Sequence, residues 1–154
     1  MATSRDLMVP PEGWTMWENR DGPNGEYRYD PFEQRAGPFW NNAAERSCAL
    51  YVEERHLNGG GAVHGGCLAT LADMALFFDV GRAVTVSLTI NYIGAARMGD
   101  WLVSRSREVR KTKHLVFCDG EITAGGPGGR LVATFSGVGG RFSPAGVRTG
   151  SLTA

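Results

Sequence analysis

The sequence predicts a single α+β domain in which one long, apolar helix is surrounded by antiparallel strands. The stretch from Gly65 to about Val80 is apolar on nearly every side, as in a helix that other structure covers. Residues 83–93 alternate apolar and polar side chains, which is the pattern of a half-buried strand. Three further strand patterns follow at about 101–110, 114–123 and 130–138. One helix among several strands is typical of a sheet that curls around the helix.

The elements before the long helix are shorter. Asp30-Pro31-Phe32-Glu33 has the pattern of a helix start, with Asp as N-cap and Pro at the first helical position, and Gly37-Pro38 ends this helix. Strands are predicted at 39–41 and 46–53, the second with Cys48, Leu50 and Val52 facing inward. We therefore expect an irregular or partly docked arm over 1–29, the domain over 30–141 and a flexible tail over 142–154.

Composition limits the function classes. The chain has 154 residues, 42% of them hydrophobic and 21% charged, and its formal net charge is zero. A neutral chain lacks the positive charge on which nonspecific nucleic-acid binding depends. No apolar run reaches the roughly 18 residues of a membrane span, and we find no secretory signal. Three cysteines without CxxC spacing indicate buried free thiols in a reducing compartment, so we expect a cytoplasmic protein without a metal site.

The start of the long helix combines glycines with a later carboxylate. The N–H groups of Gly65 and Gly66 should point out of the helix N-terminus, which favours a developing negative charge. Asp73 lies in an apolar span, where an unpartnered buried carboxylate costs several kcal/mol, so a functional role is expected. Eight residues separate Gly65 from Asp73, or roughly 12 Å at about 1.5 Å per residue. One helix therefore cannot present both groups to one carbon atom, whereas two antiparallel copies could.

These residues carry a family resemblance. Asn58, then His64-Gly65-Gly66, then Asp73 resemble the signature of hotdog-fold acyl-CoA thioesterases of the phenylacetate-degradation (PaaI-like) type. The resemblance continues through the strand at 84–92, through Arg97-Met98-Gly99-Asp100 and through Arg110-Lys111-Thr112-Lys113, and it covers roughly residues 30–141. It implies a hotdog fold, in which a curved antiparallel sheet wraps one long central helix.

The resemblance also implies roles for individual residues. The Gly65 N–H polarises the thioester carbonyl as an oxyanion donor, Asn58 helps to place that oxygen or the water, and His64 borders the same site. Asp73 acts as general base or as nucleophile, which the sequence leaves open, and Thr85 orients the attacking water. The structural alternatives are a buried carboxylate that only accepts hydrogen bonds, glycines that allow close packing, loop-ordering roles for Asn58 and His64, and an exposed row of hydroxyls on the strand of Thr85.

A local excess of basic residues follows the strand at 83–93. An exposed sheet edge protected by charges would explain it, and so would a surface for the phosphates of coenzyme A. By resemblance, the residues that border coenzyme A are Tyr92, Arg97, Arg110, Lys111 and Lys113.

Two features depart from the family pattern. Three consecutive glycines follow Asn58 in the loop, so we expect this asparagine to be less rigidly held. Phe77 and Phe78 are bulkier than the residues often found there, and we hypothesise that they shorten the acyl channel or stack on an aryl acyl group.

The sequence thus predicts an acyl-CoA thioesterase that needs no cofactor, because coenzyme A is part of its substrate. A homodimer is the minimum assembly, and a dimer of dimers is compatible with the family. Two alternatives stay open at this point: a non-catalytic acyl-CoA-binding module, and a hotdog-fold hydratase or dehydratase that acts on an acyl thioester.

Overall fold

The computed structural model describes residues 9–18, 30–76, 78, 83–126 and 128–141. Its strands are β1 (Thr15–Met16), β2 (Phe39–Asn42), β3 (Ser47–Tyr51), β4 (Ala83–Tyr92), β5 (Trp101–Lys111), β6 (Leu115–Ala124) and β7 (Arg130–Arg141), and its α-helices are α1 (Pro31–Ala36) and α2 (Gly65–Leu76). The strands form one antiparallel sheet in the order β1-β2-β3-β5-β6-β7-β4. The predicted α+β layout is confirmed.

Helix α2 packs against one face of this sheet. Its buried side chains are Leu68, Leu71, Ala72, Ala75 and Leu76. They meet sheet residues such as Leu50, Leu102 and Ile122, which are fully buried in the same core. Each fully buried leucine contributes about 2 kcal/mol relative to an exposed one. The predicted helix reached about Val80, whereas α2 ends at Leu76, and residues 77 and 79–82 lie outside the described part of the chain.

The opposite face of the sheet carries a smaller apolar layer of tryptophans. Trp14 of the arm meets Trp101 edge-to-face with ring centroids 5.4 Å apart, and Trp40 lies 6.3 Å from Trp101. Together they cover Ala49 and Val103, which are buried. The arm reaches this position because β1 pairs with β2. Side chains of β3 are therefore buried on both faces, and Cys48 and Leu50 face α2 as predicted.

Local signals predicted helix α1 correctly. The Asp30 carboxylate accepts hydrogen bonds from the N–H groups of Phe32 and Glu33, both at 3.0 Å, and Pro31 opens the helix. These are the contacts of an N-cap residue, which satisfies backbone donors that the first turn leaves unpaired. The helix ends before Gly37.

Strand β4 departs from its predicted alternation because it contains a β-bulge. Thr85 pairs with Gly139 and Ser87 pairs with Val138, so Val86 is an extra residue on β4. A one-residue bulge reverses the faces of all residues before it relative to those after it. Thr85 is half-buried and does not share a face with Ser87 and Thr89, as the regular alternation predicted. Val84 and Val86 are exposed, at 58% and 64%.

A buried histidine fixes the segment before α2. His56 is 4% exposed, and its Nδ1 accepts the Glu53 N–H at 2.9 Å. Its carbonyl accepts the His64 N–H at 2.8 Å, which ties this segment to the start of α2. Burial lowers the pKa of His56, the Arg55 cation lowers it further, and Glu53 and the carbonyls of Ala36 and Gly37 act in the opposite direction. The folded protein therefore holds His56 neutral.

This lowered pKa predicts a loss of stability in acid. Below about pH 6.5 the unfolded chain binds a proton at His56 that the folded chain does not, so the free energy of unfolding falls by at most about 1.4 kcal/mol per pH unit from this group. Urea unfolding between pH 5 and pH 8 should show this slope in the wild type and a smaller slope in His56→Gln. Parallel pH profiles for the two proteins would contradict the assignment.

Candidate active site

The N-terminus of α2 presents one unpaired backbone donor. The His64 carbonyl accepts the N–H groups of Cys67 and Leu68, and the Gly66 N–H donates to His64 Nδ1 at 2.9 Å. Within the described residues, no acceptor pairs with the Gly65 N–H. A free N–H at the positive end of a helix dipole is suited to bind a carbonyl oxygen that gains negative charge. Gly65 is thus placed as an oxyanion donor would have to be.

Asn58 lies in the loop before this helix and is firmly held. Its Oδ1 accepts the N–H groups of Gly60 at 2.8 Å and Ala62 at 3.3 Å. Its backbone donates to the Ala62 carbonyl at 2.7 Å and accepts the Gly61 N–H at 3.0 Å. The expectation that three glycines loosen Asn58 was wrong, because the asparagine itself organises the glycine turn. Since Oδ1 is engaged, the exposed side chain offers its Nδ2 as a donor.

Asp73 lies about two helical turns after Gly65 along α2, and its side chain bonds to strand β4. Thr85 Oγ1 donates to Asp73 Oδ1 at 2.6 Å, a short distance typical of a charge-assisted hydrogen bond. The expectation of a buried carboxylate was wrong for the single chain, in which Asp73 is exposed. The reason is the sheet order: Asp73 faces β4, which lies at the edge of the sheet and pairs only with β7 among the described strands.

Within one chain, the predicted site residues form two separate groups. Gly65 lies near the end of β4, because Tyr92 Oη donates to the Gly65 carbonyl at 3.1 Å. Asp73 lies near the start of β4, beside Thr85. The distance along α2 between the two groups is roughly 12 Å, and seven residues of strand span roughly 20 Å. One chain therefore does not bring the oxyanion donor and the carboxylate together.

The basic residues that the family resemblance assigns to coenzyme A binding also form two separate groups within one chain. Arg97 follows β4 in the loop at the Gly65 end of the sheet. Lys111 pairs with Val116, Val116 with Gly139, and Gly139 with Thr85, so the end of β5 lies level with Thr85 at the Asp73 end. Arg110 and Lys113 flank Lys111, and all four cations are exposed. None of the four makes an ion pair with another described residue.

The loop that carries Arg97 depends on Asp100, which belongs to the run that carries the family resemblance, and on Arg130, which the sequence did not single out. Asp100 Oδ2 accepts the Arg97 N–H at 2.8 Å and pairs with Arg130 Nη2 at 2.9 Å. Arg130 also donates to the Ala95 carbonyl. Gly99 has φ +88°, a conformation that glycine adopts without steric cost, and it closes the turn at Asp100. Arg130 is 30 residues from Asp100, so no local sequence pattern predicts this contact.

Two of the three cysteines, Cys48 and Cys67, are poor candidates for an alternative nucleophile. Cys67 lies in the first turn of α2, where burial raises the pKa of its thiol to about 11. Burial likewise raises the pKa of Cys48 to about 12. A thiol with such a pKa is almost wholly protonated at neutral pH and is a poor nucleophile. None of the three cysteines forms a disulfide.

Other site types find little support in the described ranges. We see no group of three His, Cys, Asp or Glu residues there that could hold a metal ion. No helix in the same ranges is both long enough and apolar enough to cross a bilayer. Of the two phenylalanines proposed to line an acyl channel, Phe77 lies outside the described residues, and Phe78 packs against Trp17 with ring centroids 6.3 Å apart.

Comparisons with known proteins identify the family. Residues 60–130 match the Thioesterase superfamily. A Pseudomonas aeruginosa protein named as an esterase is 36% identical to this chain over 122 residues. The match covers 73% of this chain and 89% of that protein. Human acyl-coenzyme A thioesterase 13 is 35% identical over 82 residues, which cover 49% of this chain and 59% of the human protein.

Solved structures give the same result. The Escherichia coli PaaI protein from the phenylacetic acid degradation operon superposes with a TM-score of 0.59 at 27% identity, over 68% of this chain and 73% of that one. A Streptococcus mutans protein bound to acetyl-CoA superposes with a TM-score of 0.56 at 26% identity, over 61% of this chain and 77% of that one.

The fold and the relatives define a hotdog-fold thioester hydrolase. The chain belongs to the Thioesterase superfamily, and the predicted resemblance to PaaI-like proteins is confirmed.

Proposed function

We propose that this protein hydrolyses acyl-CoA thioesters at a site built from two copies of the chain. The observation that carries the proposal is the separation of two complementary half-sites on α2, the free Gly65 N–H at one end and the Thr85-bonded Asp73 near the other. The half-site with the Gly65 N–H lacks a carboxylate, and the half-site with Asp73 lacks an oxyanion donor. The names of the human relative and of the acetyl-CoA-bound neighbour support coenzyme A as the carrier of the acyl group.

The open edge of β4 supports the arrangement of the two copies. A second copy placed antiparallel along this edge would bring the Thr85 end of one strand to the Tyr92 end of the other. Val84 and Val86 near the start of this strand and Ile93 just after its end are more than half exposed, and a second copy along the edge would cover exposed apolar side chains at both ends. Such a pair is two-fold symmetric and contains two equivalent sites.

The chemistry follows from the combined groups. The thioester carbonyl accepts hydrogen bonds from the Gly65 N–H and Asn58 Nδ2 of one copy, which stabilises the oxyanion. Asp73 of the other copy either takes a proton from water, whose oxygen then bonds to the carbonyl carbon, or bonds to that carbon itself. The C–S bond then breaks and the thiolate of coenzyme A leaves. In the first case it takes up the proton that Asp73 accepted from water, and the free acid is released. In the second case the acyl group stays on Asp73 as a mixed anhydride, which water hydrolyses to the free acid and the carboxylate, and a proton released from that water protonates the thiolate. Thr85 orients the carboxylate by holding one of its oxygens.

The cations would also converge in this arrangement. Arg97 lies at the Gly65 end, whereas Arg110, Lys111 and Lys113 lie at the Asp73 end. Two antiparallel copies therefore place Arg97 of one chain on the same side as the three cations of the other. Four unpaired cations at one site suit the phosphates of coenzyme A.

A thiol-release assay over acyl- and aryl-CoA esters tests the proposal, with the matching acyl-pantetheine esters as controls without the nucleotide. We expect hydrolysis of CoA esters, with a higher KM for the pantetheine esters and for Lys113→Ala. Tight binding without thiol release would indicate a binding module, and a 2-enoyl product would indicate a hydratase or dehydratase. Either result would overturn the proposal.

Removal of the Thr85 hydroxyl tests the Asp73–Thr85 bond. Thr85→Val keeps the shape of the side chain, and we expect kcat to fall by roughly tenfold, because one charged hydrogen bond contributes about 1.5–3 kcal/mol and part of it survives through water. Thr15→Val is the matched control, since Thr15 is exposed on β1, away from the β4 edge, and its hydroxyl also donates to a side-chain oxygen at 2.6 Å, that of Asn41. Steady-state kinetics with equal kcat for the two variants would exclude a role for Thr85.

A further inference from the structure

The peptide group between Gly65 and Gly66 is bonded at both ends by aromatic rings. Its carbonyl, on Gly65, accepts the Tyr92 hydroxyl at 3.1 Å. Its N–H, on Gly66, donates to His64 Nδ1 at 2.9 Å. The two hydrogen bonds thus run in sequence through one amide, from the Tyr92 hydroxyl to the His64 ring.

Such a series is cooperative. A donor on a peptide carbonyl polarises the amide and makes its N–H a stronger donor, by about 10–30% per bond in condensed phases. The Tyr92 hydroxyl therefore strengthens the bond from Gly66 to His64. Since an accepting Nδ1 carries no proton, the neutral His64 ring has its proton on Nε2.

The same two rings account for both glycines. A Cβ on Gly65 would lie 3.2 Å from Tyr92 Cζ and from Tyr92 Oη, and a Cβ on Gly66 would lie 3.1 Å from His64 Nδ1. Both distances are tighter than ordinary van der Waals contact. The rings approach the backbone this closely only because both residues lack side chains.

The series also determines which donor stays free. With His64 Nδ1 bonded to the Gly66 N–H, this nitrogen cannot accept the neighbouring Gly65 N–H. Tyr92 is 57% exposed, so its hydroxyl could bond to water, yet it donates to the Gly65 carbonyl. The arrangement leaves the Gly65 N–H open to a ligand.

We infer that Tyr92 is a positioning residue that acts through the Gly65–Gly66 peptide: it holds His64 as the Nε2–H tautomer and keeps the Gly65 N–H available for the thioester carbonyl. The inference rests on the proposed function for its consequence in catalysis, but its structural part does not. It differs from the role that the resemblance gives to Tyr92, which is a contact with coenzyme A.

Nuclear magnetic resonance of the free protein tests the structural part. In the wild type, the ¹⁵N spectrum of the His64 ring should show an unprotonated Nδ1 at neutral pH and above. In Tyr92→Phe the Gly66 amide proton should move upfield and the ring signals should move toward a mixture of tautomers. Tyr51→Phe is the matched control and should leave these signals in place. A protonated Nδ1 in the neutral wild-type ring, or unchanged Gly66 and His64 signals in Tyr92→Phe, would overturn the inference.

Kinetics test the consequence. Tyr92→Phe should lower kcat by roughly three- to tenfold, the effect of one hydrogen bond, with little change in KM. A raised KM with unchanged kcat, as a contact with coenzyme A alone would give, would overturn the positioning role. If the wild type released no thiol, the proposed function would fail, whereas the tautomer measurement would still decide the inference about Tyr92.

Discussion

Asp73→Asn is expected to lower kcat for thioester hydrolysis by about two to four orders of magnitude, which is the usual contribution of a positioned general base. Asparagine has nearly the same shape, and its amide oxygen can still accept the Thr85 hydroxyl. It can neither take a proton from water nor attack a carbonyl carbon, so the loss reports chemistry rather than packing. Thiol release under saturating substrate measures kcat directly.

Glu121→Gln is the matched control for this substitution. Glu121 lies exposed on β6, away from the predicted site residues, and should tolerate the same loss of charge with unchanged kcat. Comparable rates for wild type and Asp73→Asn would remove Asp73 from the mechanism. Hydrolysis in ¹⁸O-labelled water separates the two roles of the carboxylate, because only a nucleophile would carry the label into Asp73 in a single turnover.

Mixing two inactive variants is expected to restore activity. Asn58→Asp keeps an oxygen for the Gly60 and Ala62 N–H groups but replaces the free Nδ2 donor with a negative oxygen, so it should disable the oxyanion half. When it is paired with Asp73→Asn, one site of the mixed dimer carries both defects and the other carries none. If the copies exchange freely in equal amounts, half of the dimers are mixed, and total activity should return to about a quarter of the wild-type value.

The control for this experiment is each variant mixed with an equal amount of itself. Neither should recover, since every site then lacks the same group. No recovery in the mixture, although mass spectrometry shows mixed dimers, would mean that both groups act from the same chain. The result therefore distinguishes a shared site from two separate ones, independently of the acyl group that the enzyme prefers.

Local chemistry made much of this fold readable from sequence. The Asp30-Pro31 start and the Gly37-Pro38 stop predicted α1 because capping and proline geometry act within a few residues. The long strands were predicted within one or two residues at most ends, because alternation over ten residues is a strong signal. The candidate residues in the glycine-rich loop before α2 could be picked out for the same reason, because they are contiguous in the sequence.

Contacts between distant elements were not readable. The bulge at Val86 reverses the face of Thr85 relative to Ser87, and no local feature of the alternating pattern marks it. The exposure of Asp73 follows from the place of β4 at the sheet edge, which depends on strand order. The pair of Arg130 with Asp100 joins residues whose proximity only the tertiary structure creates.

The open edge of β4 has an evolutionary consequence if copies associate along it. In an antiparallel pair that matches Thr85 with Tyr92, the bulge residue Val86 is left out of the pairing, so Ser87 matches Asn91, Leu88 matches Ile90 and the dyad falls at Thr89. The two copies of the Thr89 side chain then lie next to each other. Every codon change along this strand alters the two-fold interface in two places. Only at the dyad are the two altered side chains neighbours, so a charge introduced at Thr89 would repel its own copy, whereas the two copies of a charge at Thr85 would lie far apart.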